Sequence, residues 1–146
     1  MNSNIRPARP TDLEAVCAVA RDCPSCACWS PEQYREEMIS DRGLFAVWEA
    51  GAVKGYFVLR KVHPEAQLVD LAVRPADRGQ GIGSALLAAA AQAARGWGCS
   101  QLTLEVSAAN ESALALYRRA GLLVVGTRRK FYNDGSDAIL MDLPLS

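Results

Sequence analysis

The chain has 146 residues, half of them apolar, and it carries 16 basic and 16 acidic side chains. This length suits one domain with its own hydrophobic core, so we predict a single domain over residues 1–146. The balanced charge argues against a nucleic-acid-binding surface, and no apolar run approaches the roughly 20 residues that span a bilayer. Residues 1–7 lack the apolar stretch of a signal peptide, and we therefore expect a cytoplasmic protein without membrane contact.

The five cysteines are an odd number, which fits poorly with a secreted disulfide framework. Cys23, Cys26 and Cys28 have spacings found in metal and redox sites, but a structural zinc needs four ligands. Cys17 could be the fourth ligand only after local rearrangement, and His63 is the one histidine. We therefore expect no metal and interpret the cluster as small thiols in a loop between two helices, with a zinc or redox role as the alternative.

Predicted strands and helices follow one another along the whole chain. Alternating or β-rich runs predict seven strands, at Ile5–Ala8, Leu44–Glu49, Val53–Val62, Gln67–Arg74, Gln101–Val106, Leu122–Arg128 and Ala138–Leu143. Four helices are predicted after the capping boxes at Thr11 and Ser30, over Ser84–Trp97, and from the cap Asn110 to Ala120 before Gly121. The order β-α-α-β-β-β-α-β-α-β-β predicts an α/β (α+β) fold in which helices cover a mixed sheet.

The segment Arg78-Gly79-Gln80-Gly81-Ile82-Gly83 lies between the apolar run Leu68–Val73 and the third predicted helix. Glycines let the backbone approach a ligand closely, and the free amides at a helix start attract anions. The segment lacks both the G-x-G-x-x-G spacing of dinucleotide sites and the Gly-Lys-Ser/Thr end of a P-loop. It therefore predicts a different phosphate-binding turn, unless it is an ordinary connection between a strand and a helix.

The spacing Arg-x-x-Gly-x-Gly in this turn resembles the loop on which GCN5-related N-acetyltransferases hold the pyrophosphate of acetyl-CoA. The segment from Leu104 to Tyr117 is similar to the L-E-V-x-x-x-N-x-x-A-x-x-L-Y segment of the RimI-like, ribosomal-protein-alanine branch of that family. The tail from Gly126 to Tyr132 resembles the branch's G-x-R-x-x-Y-Y, and the resemblance covers the entire chain. It implies one N-acetyltransferase domain with a mostly antiparallel sheet of about seven strands and four helices.

The resemblance also implies the roles of individual residues. Glu105 takes the place of the family's proton acceptor and Tyr117 that of its proton donor. The implied cofactor contacts are Leu71, Ala72 and Val73 for the pantetheine arm, Arg78, Gly79, Gln80, Gly81, Ile82, Gly83 and Ser84 for the pyrophosphate, and Asn110. We therefore expect direct transfer from acetyl-CoA to an amine, most simply the α-amino group of a ribosomal protein. The alternatives are a lysine or small-molecule amine as acceptor, and an acyl-CoA-binding regulatory module without turnover.

Several residues stay open to a plainer interpretation. On spacing alone, Tyr117 could be a core tyrosine and Glu105 a solvated strand carboxylate. Asp70 is a charge on an otherwise apolar strand, either lining the cleft or simply paired, and we interpret Tyr34 as packing. Five positions depart from the branch's pattern. Ser107 stands where arginine is common, Phe131 replaces the first tyrosine of the pair, and Ser136 replaces a glutamate. Gln67 stands where glutamate is frequent, and Leu122 replaces a phenylalanine. Because several of these positions lie where the family binds its acceptor, the acceptor is less determined than the cofactor.

Overall fold

The computed structural model describes residues 3–23 and 29–145. Within them, seven strands form one sheet: β1 (Ile5–Pro7), β2 (Gly43–Ala50), β3 (Ala52–Val62), β4 (Glu65–Val73), β5 (Gln101–Ser107), β6 (Leu123–Arg128) and β7 (Ala138–Pro144). The α-helices of the same residues are α1 (Leu13–Arg21), α2 (Pro31–Ile39), α3 (Ile82–Gly96) and α4 (Glu111–Arg119), with 3₁₀ turns before α1 and α3. The predicted mixed α/β fold and element order are confirmed.

The starts of the first two helices differ in how well the sequence predicted them. At α2, Oγ of Ser30 accepts from the Gln33 amide at 3.2 Å and Oε1 of Gln33 accepts from the Ser30 amide at 2.8 Å, as predicted. The predicted capping box at Thr11 is wrong. Asp12 instead accepts from the Arg9 amide at 2.7 Å and from the Arg6 guanidinium at 2.8 Å. Because Arg6 fixes this carboxylate, the chain enters α1 through a 3₁₀ turn.

The sheet has the strand order β1-β2-β3-β4-β5-β7-β6, and only the β4–β5 pair is parallel among the described strands. The helix α3 makes the crossover that a parallel pair requires. The pairing of β4 with β5 runs from Glu65–Gln101 to Leu68–Leu104, although both strands continue. At this point Val69 is an extra residue in the register with β3, a β-bulge that redirects the strand. The two strands therefore part and leave an opening in the centre of the sheet.

Each face of the sheet carries its own apolar layer. The face covered by α3 and α4 buries Leu86, Ala90, Leu102 and Met141 completely. Alanines let α3 lie close to the strands, and truncating Leu86 to alanine at this contact would cost about 2–5 kcal/mol. The other face, covered by α1 and α2, buries a second cluster around Val16, Val19, Tyr34 and Tyr56. The opening between β4 and β5 lies between these two layers.

The cysteine interpretation is only partly tested, because Cys26 and Cys28 lie outside the described residues. Cys23 is disulfide-bonded, so its expectation as a free thiol is wrong, whereas Cys17 and Cys99 are free. Residues 3–23 and 29–145 contain no group of three potential metal-ligating side chains. No helix within those same ranges is long and apolar enough to cross a membrane.

Candidate active site

The predicted phosphate-binding turn connects β4 to α3 and lies on the surface. Gly79 and Gly81 have φ values of +78° and +81°, which only glycine adopts without strain, and a Cβ at either would meet nothing within 4 Å. The first hydrogen bond into α3 runs from the Ala85 amide to the Gly81 carbonyl at 3.0 Å. The amides of Ile82, Gly83 and Ser84 therefore precede the helical ladder and point out of the helix start. Open space and outward amides together suit a bound anion.

Side-chain contacts hold the start of the turn in place. Asp77, buried in the preceding 3₁₀ turn, accepts from Nε of Arg74 at 2.6 Å and lies 3.7 Å from Nζ of Lys54. The hydrogen bond from Arg74 lowers the pKa of Asp77. The side chain of Arg78 folds back, with Nε 3.3 Å from the Val73 carbonyl oxygen. These contacts fix the turn before any ligand arrives.

Residues 71–73 are the part of β4 beyond its pairing with β5. Their β5-facing edge borders the opening, so an extended ligand arm can lie alongside it. Gly83, at the start of α3, lies so close to α4 that an added Cβ would be 3.2 Å from Cδ2 of Leu116. The opening, the phosphate-binding turn and α4 are therefore adjacent. Asn110 lies at the start of α4, where its Oδ1 accepts from the Ala113 amide at 3.2 Å.

Glu105 faces the α1/α2 side of the sheet at the opening. Its neighbours Leu104 and Val106 are buried in the α3/α4 layer, so strand alternation turns Glu105 to the other face. Its side chain is 29% exposed, and Oε1 lies 3.4 Å from Nη2 of Arg128. A partly exposed carboxylate next to the opening can accept a proton, directly or through water.

Tyr117 belongs to the opposite face of the sheet, in the α3/α4 layer that also contains Leu68 and Leu104, the last β4–β5 pair before the opening. It lies on α4, is 7% exposed, and its hydroxyl makes no hydrogen bond with any described residue. Burial raises the pKa of Tyr117, and the charge of Asp70 and the neighbouring Tyr132 add to the rise. Glu105 in turn contributes to the raised pKa of Tyr132, after burial. With its pKa raised, Tyr117 stays protonated and able to donate.

The structure reveals a buried polar cluster that sequence reasoning did not assemble. Asp70 is 6% exposed, and its Oδ2 accepts from the Tyr56 hydroxyl at 2.7 Å and from the Tyr34 hydroxyl at 3.3 Å. The two hydroxyls are 3.2 Å apart. Tyr34 also lines a cavity of about 320 Å³ between α1 and α2, together with Trp29 and Cys17. The only signal in the sequence was a charge on an apolar strand.

Two of the departures from the family pattern contact each other. Oγ of Ser107 lies 2.8 Å from Oγ of Ser136, so a neutral hydrogen bond joins the positions where an arginine and a glutamate were expected. Another departure, Phe131, packs edge-on against Tyr132 with ring centroids 5.1 Å apart and lies under the guanidinium of Arg128. At the Ser107–Ser136 contact, the two expected opposite charges are both missing, so neither is left without its counter-charge.

Comparison with known proteins agrees with this geometry. The model of the acetyltransferase (GNAT) family matches residues 13–122. The [ribosomal protein bS18]-alanine N-acetyltransferase of Escherichia coli K12 is 34% identical over 121 residues, which cover 81% of this chain and 82% of the relative.

Solved structures show the same similarity. The crystal structure of the ribosomal-protein-S18-alanine N-acetyltransferase from Escherichia coli matches with a TM-score of 0.82 at 32% identity, covering 97% of this chain and 93% of that one. The structure of yncA from Salmonella typhimurium, solved with its cofactor acetyl-CoA, matches with a TM-score of 0.86 over 100% of this chain and 95% of that one. At 19% identity the latter likeness shows the fold alone. The chain thus belongs to the acetyltransferase (GNAT) family and is an N-acetyltransferase.

Proposed function

We propose that residues 1–146 form one domain that transfers the acetyl group of acetyl-CoA directly to the α-amino group of a protein N-terminus, with a ribosomal protein as the acceptor. One observation carries this proposal. A carboxylate from one face of the sheet, Glu105, and a protonated phenol from the other, Tyr117, border the same opening beside an anion-binding turn. The similarity to ribosomal-protein-alanine N-acetyltransferases supports the choice of acceptor.

The residues present fit acetyl-CoA. The amides of 82–84 and the open space above Gly79 and Gly81 suit its pyrophosphate, and the edge of β4 at 71–73 suits its extended arm. A groove of about 380 Å³ between α3 and α4 begins at Ser84 and contains Arg95 and Arg119, two cations suited to the phosphate on the adenosine. When bound, acetyl-CoA supplies an activated acyl group as a thioester.

The chain's own residues then manage two protons. Glu105 accepts a proton from the acceptor ammonium, directly or through water, so that the neutral nitrogen can form its bond to the acetyl carbon. Tyr117 donates its hydroxyl proton to the sulfur as the carbon–sulfur bond breaks, and the second proton that the nitrogen loses on becoming an amide returns to the Tyr117 oxygen through water. Glu105 then releases its own proton to solvent. An α-ammonium, with a pKa near 8, gives up its proton more easily than a lysine at about 10.4, so a modest base suffices. No covalent acetyl-enzyme is needed.

The acceptor side is held mainly by α1, α2 and the β6–β7 hairpin. Arg128 and Tyr132 on this hairpin border Glu105, and Trp29 and Tyr34 line the cavity between the two helices. An acceptor chain entering from this face reaches Glu105 without crossing the cofactor arm. We place the reaction in the cytoplasm, where newly made ribosomal proteins would meet the enzyme.

The direct test is to incubate the purified protein with acetyl-CoA and a short peptide that begins with alanine, and to follow CoA release and peptide mass. We expect a peptide heavier by one acetyl group, with the modification mapped to the α-amino group. Acetylation only of lysine side chains or small amines would assign a different acceptor. Tight binding of acetyl-CoA without turnover on any amine would instead indicate a regulatory binding module.

A further inference from the structure

The Asp70 carboxylate lies at the same level of the sheet as Glu105. The last pair of the parallel ladder is Leu68–Leu104, so the next positions along the two strands are the bulge at Val69 with Asp70, and Glu105. The two carboxylates therefore stand on opposite sides of the opening, one on each of the strands that part there.

They also face the same layer. Asp70 is opposite Val58 in the β3 register, and it bonds to Tyr34 and Tyr56, all three of which belong to the α1/α2 cluster. Strand alternation turns Glu105 to that same side, as described above. Two carboxylates thus border the opening from the side on which the acceptor enters, while Tyr117 approaches from the other side.

The hydrogen bonds to Asp70 suit a charged carboxylate. Burial raises the pKa of Tyr34 to about 12 and raises that of Tyr56 as well, so both phenols are protonated at neutral pH. Two hydroxyl donors to one carboxylate stabilise its ionised form. The charge of Asp70 also adds to the raised pKa of Tyr117 on the opposite face, after burial.

We propose that Asp70 is a positioning residue for the acceptor: its buried charge, held by Tyr34 and Tyr56, acts with Glu105 to favour an ammonium over an uncharged group at the opening. This inference rests on the proposed function. A carboxylate that served only to fasten α2 to the sheet would affect all acceptors equally. The discriminating quantity is therefore the preference for charge, measured as a ratio.

The probes are a short peptide beginning with alanine and the same peptide with its N-terminal amine replaced by hydrogen, a propionyl peptide. Calorimetry gives the dissociation constant of each for enzyme saturated with CoA, so that no turnover occurs. We expect the wild-type protein to prefer the ammonium peptide, and Asp70→Asn to reduce that preference about tenfold. Asparagine keeps an oxygen for the tyrosine hydroxyls, so the variant removes the charge and not the shape.

Asp12→Asn is the matched control, because Asp12 is equally buried, at 7% exposure, but is paired with Arg6 at the start of α1. It should leave the preference unchanged. Equal weakening of both peptides in Asp70→Asn, or an unchanged ratio, would overturn the proposal. If Asp70→Asn fails to fold, Glu105→Gln provides the test. Part of the preference for the ammonium peptide must survive in Glu105→Gln. Its complete loss would contradict the proposal, because no contribution would remain for Asp70.

The charge test is separable from the identity of the acceptor. Titration of butylamine and butan-1-ol, followed by NMR, repeats the contrast between a cation and a neutral group without any peptide. A wild-type protein that acetylates the alanine peptide but shows no preference for charge would retain the proposed function and refute the role of Asp70. A protein that prefers butylamine in an Asp70-dependent way, but does not acetylate the peptide, would support the role of Asp70 and refute the proposed function.

Discussion

The two faces of the sheet bring different chemistry to the same opening. On the α3/α4 face, small apolar side chains pack tightly around one phenol, Tyr117, whose hydroxyl is left without a partner among the described residues. On the α1/α2 face, aromatic rings surround the Asp70 carboxylate, and the polar atoms of Tyr34 and Tyr56 bond to it. A free hydroxyl is available for chemistry, whereas a bonded one contributes stability. Under the two proposals above, the faces therefore divide proton donation from the binding of a charged acceptor.

The largest effect is expected from Tyr117→Phe, which removes the hydroxyl that we propose as the proton donor. Because the hydroxyl makes no hydrogen bond in the described part of the chain, we expect unchanged thermal stability but a kcat lowered roughly 10²- to 10⁴-fold. Steady-state kinetics with calorimetric melting checks both. Glu105→Gln should lower kcat as well, since an amide accepts no proton at neutral pH. If both variants keep the wild-type kcat, the two roles are wrong.

The phosphate-binding turn can be tested with two glycines of the same conformation. Gly81 in the turn and Gly98 after α3 have φ values of +81° and +77°, and neither has a neighbour that an added Cβ would meet within 4 Å. Alanine at either position costs about 1–2 kcal/mol of strain. We expect Gly81→Ala alone to weaken acetyl-CoA binding, about tenfold by calorimetry, because its methyl group occupies space above the turn. Equal weakening in Gly98→Ala would show that strain, and not the anion site, is responsible.

Tyr56→Phe tests the α1/α2 face, where the hydroxyl is expected to contribute stability. The Tyr56 hydroxyl donates to Asp70 at 2.7 Å inside a fully buried layer, so its loss should lower the free energy of unfolding by about 1–3 kcal/mol. Urea denaturation measures this directly. Tyr34→Phe should cost less, since its bond to Asp70 is longer, at 3.3 Å. A Tyr56→Phe protein as stable as the wild type, beside a destabilised Tyr117→Phe protein, would reverse the assignment of the two faces.

The smallest effect is expected for the ion pair between Arg6 and Asp12 at the start of α1. The hydrogen bond from Arg6 lowers the pKa of Asp12 in the folded state. A carboxyl with a lowered folded pKa contributes stability above its unfolded pKa, about 3.9, and loses it as the pH falls through the folded value. The free energy of unfolding of the wild type should therefore exceed that of Asp12→Asn by about 1 kcal/mol at neutral pH and by less near pH 3. Urea denaturation at the two pH values measures both differences. A difference that grows on acidification would contradict this sign.

The elements on the proposed cofactor side could be predicted from the sequence because their determinants are local. Residues 78–84 form one continuous turn, and the segment from Leu104 to Tyr117 lies on two consecutive elements, β5 and α4. Turn chemistry and strand alternation act between near neighbours, so they can be recognised without the fold. Even so, the predicted capping box at Thr11 failed, since the sequence gives no sign that Arg6, on another element, holds Asp12.

The acceptor side could not be predicted in the same way. Tyr34, Tyr56 and Asp70 come from α2, β3 and β4, and each alone fits ordinary packing or pairing. Ser107 and Ser136 are separate departures in the sequence and become one contact in the fold. The contact between Tyr56 and Asp70 depends on the register of β3 with β4, which a single bulge at Val69 changes.

By itself, the sequence determined the order of elements and the connection from strand through glycine-rich turn to helix, because backbone propensity and short-range spacing specify these. The candidate proton acceptor and donor came from its resemblance to the family. Only the tertiary structure decided which side chains share the opening, that Asp70 is a buried and bonded carboxylate, and that it faces the same side as Glu105. The physical reason is that burial and electrostatic fields depend on distances in space between residues that are far apart in the chain.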